Sequence, residues 1–160
     1  MAFAAPSLKG RALRLLSQRE HSRSELERKL ASHEQEPGAL ARALDELESK
    51  GFISEARVVQ SVLHQRAARL GGARIRQELQ AKGIAPEAVA QALQSLHDTE
   101  LERARALWQR RFGMPPADAR ERARQTRFLL ARGFSGENVS RVLRAAISEA
   151  ASQSTEAESG

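Results

Sequence analysis

Arginine is the side chain with the most chemistry to offer in this sequence, and it is concentrated in two segments. Between Leu63 and Lys82 lie Arg66, Arg69, Arg74, Arg76 and Lys82, against the single acid Glu78. Between Arg103 and Arg132 lie nine arginines, among them Arg124, Arg127 and Arg132, against Asp118 and Glu121. A guanidinium presents a planar fork of donors that suits phosphate and carboxylate groups. The formal charge of +6 points the same way, towards a polyanion or an acidic partner. The last thirteen residues hold three glutamates and no base, so the rest of the chain carries +9. Long arginine stems also cover apolar surface on small helical units, which is the plainer use of such residues. Arg74 and Arg76 flank an inward Ile75 beside a glycine turn, and there contact with a partner is the expectation. Residues two apart on a helix point roughly 200° around its axis, so the two need not share one target. The candidate partner or DNA-binding residues are therefore Arg66, Arg69, Arg74, Arg76 and Lys82, with Arg124, Arg127 and Arg132, chosen on charge and position.

Other chemistry is sparse. The chain has no cysteine, which removes disulfides, thiolate metal sites and thiol nucleophiles together. His21, His33, His64 and His97 never fall three or four apart, so no helical metal pair exists. His21 and His33 are expected at exposed loops or helix ends. Glu46 and Glu48 are two apart on a helix and do not face each other. Phosphate-loop, nucleophile-elbow and zincin motifs are absent, and Gly71-Gly72 reads as a turn. The expectation is a binding protein, not an enzyme, with no catalytic residue, no metal and no cofactor. No apolar run approaches the ~20 residues that span a bilayer. Met1 to Pro6 is too short and uncharged for a signal peptide. The cytoplasm is the expected compartment.

The elements that position these arginines are helical. Ala12, Leu13, Leu15 and Leu16 form one apolar stripe. Ser22-Arg23-Ser24-Glu25 is a capping box that starts a helix with Leu26 and Leu30 on one face. Leu40, Ala43, Leu44 and Leu47 define a third helix, ended by Gly51-Phe52-Ile53. Val58, Val59, Val62 and Leu63 give a fourth, then Ile75 and Leu79 a short one ended by Gly83 in the left-handed cap position. Pro86 opens the next helix, where its missing N–H costs nothing. Leu101, Ala104, Leu107 and Trp108 keep helical spacing, as do Ala123, Phe128 and Leu129, and finally Val139, Val142, Leu143 and Ile147. Trp108 and Phe128 lie on apolar stripes and read as core, not as platforms for bases.

This pattern repeats. Leu79 to Ile84, with Val89 and Leu93, is matched fifty positions later by Leu129 to Phe134, with Val139 and Leu143. A fainter copy places Leu30, Leu40 and Leu44 49 positions upstream. Periods of this length mark helical repeat arrays. The expected fold is all-α: three tandem three-helix repeats forming an elongated, curved array. The divisions are 1–7, a flexible leader; 8–53, 54–97 and 98–147, the repeats; and 148–160, a disordered acidic tail whose composition buries too little apolar surface to order.

A winged helix competes for the first repeat, since Leu40 to Leu47 could be a recognition helix before Gly51-Phe52-Ile53. A wing needs two strands after Ile53, and Ser54 to Val59 instead enters a helical pattern. A winged-helix-like DNA binder, or a general single-stranded nucleic-acid binder, is the alternative function.

Three stretches, in order and at this spacing, resemble the RecX family: Ala12 to Leu16 with Ser22 to Leu30, Arg74 to Ile84, and Phe128 to Ser135 with Val139, Val142 and Leu143. The sequence departs from the family's pattern where Ser54 to Val59 stands in place of an Asp-rich turn and a Phe-Ala pair, and where Gly72-Ala73 stands in place of Gly-Pro. The resemblance implies a monomeric negative regulator of the bacterial RecA recombinase. It would bind the RecA–DNA filament, close to or touching single-stranded DNA, and inhibit filament extension, ATP hydrolysis and strand exchange.

Overall fold

The computed structural model describes residues 4–160. Met1 to Phe3, part of the expected leader, lie outside the described residues. Among those described there are nine α-helices and no strand: α1 (Leu8–Gln18), α2 (Arg23–Leu30), α3 (Ala39–Ser49), α4 (Glu55–Arg66), α5 (Gly72–Ala81), α6 (Pro86–His97), α7 (Glu100–Arg111), α8 (Ala119–Ala131) and α9 (Gly136–Glu158). The all-α expectation holds. The chain groups into two compact units, the first comprising the described residues through Val62 together with Leu79–Val89, the second Leu63–Glu78 together with Ala90–Gly160.

The first unit is built on α1, α2 and α3. Ala12, Leu26, Leu30, Leu40, Leu44, Leu47 and Ile53 form its buried cluster, with Leu8, Leu13, Leu15 and Leu16 packed against it. Leu26, Leu44 and Leu47 are completely buried, each contributing about 1.5–3 kcal/mol of apolar transfer. The capping box forms as the sequence predicts: the Ser22 hydroxyl accepts from the Glu25 amide at 3.2 Å and the Glu25 carboxylate accepts from the Ser22 amide at 3.1 Å. Ser22 also donates to the Lys82 carbonyl at 2.5 Å, and Arg28 donates to the Ala81 carbonyl at 3.0 Å. The start of α2 thus receives the end of α5. Gly83 takes the left-handed conformation, φ 72°, and a Cβ there would collide with Ser24.

His21 differs from its expected exposure and is only 1% accessible. Its Nδ1 lies 3.0 Å from the Arg19 carbonyl and its Nε2 lies 3.2 Å from the Lys29 ammonium. Helical periodicity does not reveal this position because residues 20–22 lie between helices.

The second unit is built on α7, α8 and α9 around Ala104, Leu107, Trp108, Leu129, Phe134, Val139, Val142, Leu143 and Ala146. Trp108 is core, as expected, and its indole N–H donates to Gln125 Oε1 at 2.8 Å. The expected disorder of 148–160 is not what the structure has: α9 continues to Glu158, so that the first eleven residues of the tail, 148–158, are helical. Extending an existing helix adds one hydrogen bond per residue with no new nucleation, and alanine and glutamate favour it. Ser152, Ser154 and Thr155 return their hydroxyls to carbonyls one turn back. The side chains of this extension are almost all exposed.

Candidate polyanion-binding surface

The two units differ in how they treat their charges. The first holds eleven bases and ten acids, net +1, while the second holds fifteen bases and ten acids, net +5. All fifteen bases of the second unit are arginine, and all four lysines lie in the first.

In the first unit seven of the eleven cations, Lys9, Arg19, Arg23, Arg42, Lys50, Arg57 and Lys82, pair with acids. Arg23, at the start of α2, reaches Asp45 at 2.6 Å, Glu48 at 2.9 Å and Glu27 at 3.0 Å, which raises its pKa. Glu25 is buried, which alone would raise its pKa. The hydrogen bonds from Arg19 and the Ser22 amide and the charge of Lys82 outweigh burial and hold it at about 2. Lys82, chosen from the sequence as a contact residue, is placed here: its ammonium pairs with Glu25 at 3.3 Å and is mostly buried.

In the second unit the carbonyl ends of helices, and not carboxylates, engage several arginines. Arg103 donates to the carbonyls of Ala67 and Leu70 at 2.8 Å each and to that of Leu96 at 3.2 Å. It closes the chain after α4 and the last turn of α6, satisfying acceptors that a helix end leaves unpaired. Its burial lowers its pKa, opposed by the charge of Glu100. The Glu100 carboxylate accepts from the Gly72 amide at 3.0 Å and the Asn138 side-chain amide at 2.6 Å. It thereby sits at the N-terminal ends of α5 and α9, where the helix dipoles favour a negative charge. Burial alone would raise its pKa, and those hydrogen bonds lower it.

Two glycines bring α5 and the end of α8 together. The Gly71 amide donates to the Arg132 carbonyl at 2.8 Å and the Ala73 amide to the Gly133 carbonyl at 3.2 Å. A Cβ on Gly71 would overlap the Gly133–Phe134 peptide, and one on Gly133, φ 91°, would meet Arg74. The contact explains why both positions lack a side chain.

This crossing leaves a cleft of about 480 Å³ lined by Arg66, Arg69, Leu70, Arg74, Gln77, Glu78 and Arg132. Four of the eight residues chosen from the sequence line one cavity. Arg66 lies 3.4 Å from Glu78, a long ion pair. Arg74 donates to the Ala131 carbonyl at 3.0 Å, and Arg69, in the turn after α4, has one long bond, 3.4 Å, to the carbonyl of Gln65 in the last turn of that helix. Four arginines thus share the lining of one cleft with a single carboxylate.

Arg132 also belongs to a second cluster. Its guanidinium lies 4.8 Å from the centre of the Phe128 ring. Phe128 meets Phe112 edge to face, centroids 5.3 Å apart. Arg111 lies over both rings, at 5.5 and 5.4 Å, and Arg124 over Phe112 at 5.5 Å while pairing with Glu121 at 3.1 Å. Each such contact is worth about 0.5–1 kcal/mol at an exposed site, and its structural effect is to hold the charge still. Phe128 is half-buried against the core and carries arginines on its other side. Arg76 and Arg127 are exposed and do not line the cleft. Arg111 was missed as a candidate, and its sequence neighbour Phe112 was the available signal.

Among the described residues no group of three or more histidines, aspartates or glutamates is placed to hold a metal ion. No described helix is long and apolar enough to cross a membrane. Fold and surface together define an all-α repeat protein that carries fixed arginines on one of its two units.

Three family models match consecutive stretches: the first three-helix domain of RecX over residues 9–47, the second over 54–93 and the third over 98–143. The chain belongs to the RecX family. It is 61% identical over 140 residues to the regulatory protein RecX of Leptothrix cholodnii, covering 88% of this chain and 89% of that one. It is 48% identical to that of Herminiimonas arsenicoxydans, covering 91% and 96%. Two solved structures share the fold with a TM-score of 0.70 each. One is a regulatory protein RecX, 22% identical, covering 84% of this chain and 70% of that one. The other is RecX from Lactobacillus salivarius, 20% identical, covering 86% and 93%.

Proposed function

We propose that this chain is a negative regulator of the RecA recombinase, acting as a binder and not as a catalyst. It engages the RecA–DNA filament and inhibits filament extension, ATP hydrolysis and strand exchange, so that it moderates recombinational repair and the SOS response. Membership of a family whose relatives are named regulatory proteins supports the regulatory role. The observation that carries the mode of action is the concentration of net charge, +5, on the second unit, with four arginines around one cleft. Such a surface speeds association with an anionic filament and favours a position close to its DNA. Three tandem repeats, 8–53, 54–97 and 98–147, suit a partner that itself repeats, because linked weak contacts gain about 10²–10⁴ in avidity when the geometry matches. The protein acts as a monomer in the cytoplasm on this reading.

The test is ATP hydrolysis by RecA on single-stranded DNA, titrated with this protein well below one per RecA protomer. Substoichiometric inhibition is the expected result. Inhibition only when the protein is abundant enough to coat the DNA would instead mean competition for the strand by a general single-stranded nucleic-acid binder.

A further inference from the structure

The cleft lined by Arg66, Arg69, Arg74 and Arg132 has a composition that a protein surface alone does not require. Among the described residues, three of its guanidiniums lie outside any ion pair, and Arg66 alone approaches a carboxylate, at 3.4 Å. Backbone donors contribute little: the amides of Gly71, Gly72 and Ala73 at the start of α5 are already given to Arg132, Glu100 and Gly133. Recognition in the cleft therefore falls to the side chains. A lone carboxylate has two oxygens in one plane and is served by one guanidinium fork. Several forks around one cavity match a ligand with several charges and oxygens arranged tetrahedrally around each charged centre. The volume, about 480 Å³, is that of a small-ligand site and admits one chain of phosphates. Arg132 is held on the Phe128 ring, and Arg74 is anchored to the Ala131 carbonyl, so two of the donors are fixed before any ligand arrives.

We propose that this cleft is a phosphate-chain site, which takes the chemistry shared by the backbone of a single nucleic-acid strand and by a free polyphosphate or nucleoside triphosphate. Glu78 limits its affinity by engaging Arg66. The proposal concerns the isolated protein and does not depend on RecA being the partner.

The test uses the full chain without RecA. Anisotropy of labelled oligothymidylate is measured alongside a labelled polyglutamate peptide of matched charge, with sodium tripolyphosphate as unlabelled competitor. The oligonucleotide should bind, and the Arg69→Ala/Arg132→Ala variant should bind it about tenfold more weakly. Glu78→Gln should bind it more tightly and steepen the salt dependence by about 0.7 in the log–log slope, one added phosphate contact. Displacement by tripolyphosphate would show that free polyphosphates share the site with the strand, and binding that resists displacement would restrict it to the strand. Polyglutamate bound as tightly as the phosphate ligands, no phosphate ligand bound, or unchanged affinity in the arginine variant would each overturn the proposal. Arg69→Lys/Arg132→Lys guards against unfolding: it keeps both charges and should show an intermediate loss, since only the fork geometry is removed.

Discussion

Gly71 donates its backbone amide to the carbonyl of Arg132 at 2.8 Å, with no room for a side chain between them. This one contact seats the start of α5 against the end of α8 and brings Arg74 and Arg132 to the same cleft. A glycine pair that reads in the sequence as a simple break between helices is therefore also a packing surface.

Gly71→Ala should accordingly be costly. The added methyl would meet backbone atoms of Gly133 and Phe134, which cannot rotate away as a side chain could. Overpacking of this kind costs about 1–3 kcal/mol. Urea denaturation should show a lower midpoint, and Gly72→Ala, whose Cβ would meet only the Glu100 and Leu93 side chains, should be milder. Equal effects at both positions would contradict the packing assignment.

Trp108→Phe should destabilise the second unit by about 1–3 kcal/mol, because it strips the buried Gln125 oxygen of its indole donor. Gln125→Leu removes the orphaned group, so the double variant should be less destabilised than the sum of the singles. Trp108 is the only tryptophan in the chain, so its fluorescence reports unfolding of the wild-type second unit.

The first unit should lose stability in acid in two stages. Burial lowers the pKa of His21 from 6.5, assisted by the charges of Arg19 and Lys29 and opposed by the bond to the Arg19 carbonyl and the charge of Glu25. The folded state thus favours the neutral ring, and the unfolded chain binds the proton more readily. Stability is complete above pH 6.5 and declines as pH falls below it. Glu25, lowered from 4.5 to about 2, contributes stability that is present above pH 4.5 and lost as pH falls towards 2. Urea midpoints measured against pH should show both declines. His21→Asn, which keeps a donor near the Arg19 carbonyl, should flatten the upper one, and Glu25→Gln should flatten the lower one while deepening the upper, because it removes a charge that favours the His21 imidazolium.

Charge reversal should separate the two units functionally. Arg69→Glu/Arg132→Glu should raise the concentration needed for half-inhibition of RecA ATP hydrolysis by about tenfold. A control with the same change in net charge, Arg14→Glu/Arg42→Glu on exposed positions of the first unit, should move it much less. Equal losses would mean that overall charge, and not the cleft, governs binding.

Removal of 148–160 should cost little stability. The last core residue of α9 is Ala146, and the extension adds only the exposed pair of Glu149 with Arg105 at 2.9 Å. Exposed pairs are worth about 0–1 kcal/mol. The helical circular dichroism should fall while the unfolding free energy from urea denaturation stays within about 0.5 kcal/mol of the full chain's. A large loss of stability would show that the tail packs on the body in solution.

Helices and their punctuation were legible in the linear chain because both are local. Apolar residues three and four apart select a helix and its inner face, and Ser22, Gly83 and Gly133 act on amides and dihedrals within one turn of themselves. Resemblance at three stretches was enough to reach the family. The fate of each charge was not legible, because it depends on partners far away in the chain. Lys82 meets Glu25 across 57 positions and Arg103 meets Ala67 across 36, so one arginine becomes a clamp between distant segments while Arg69 bonds a carbonyl four residues back. His21 looked exposed because it lies between helices, where no apolar period marks a residue as inward. Periodicity assigns a residue to a face, whereas packing decides whether that face meets a carboxylate, a carbonyl or a cleft.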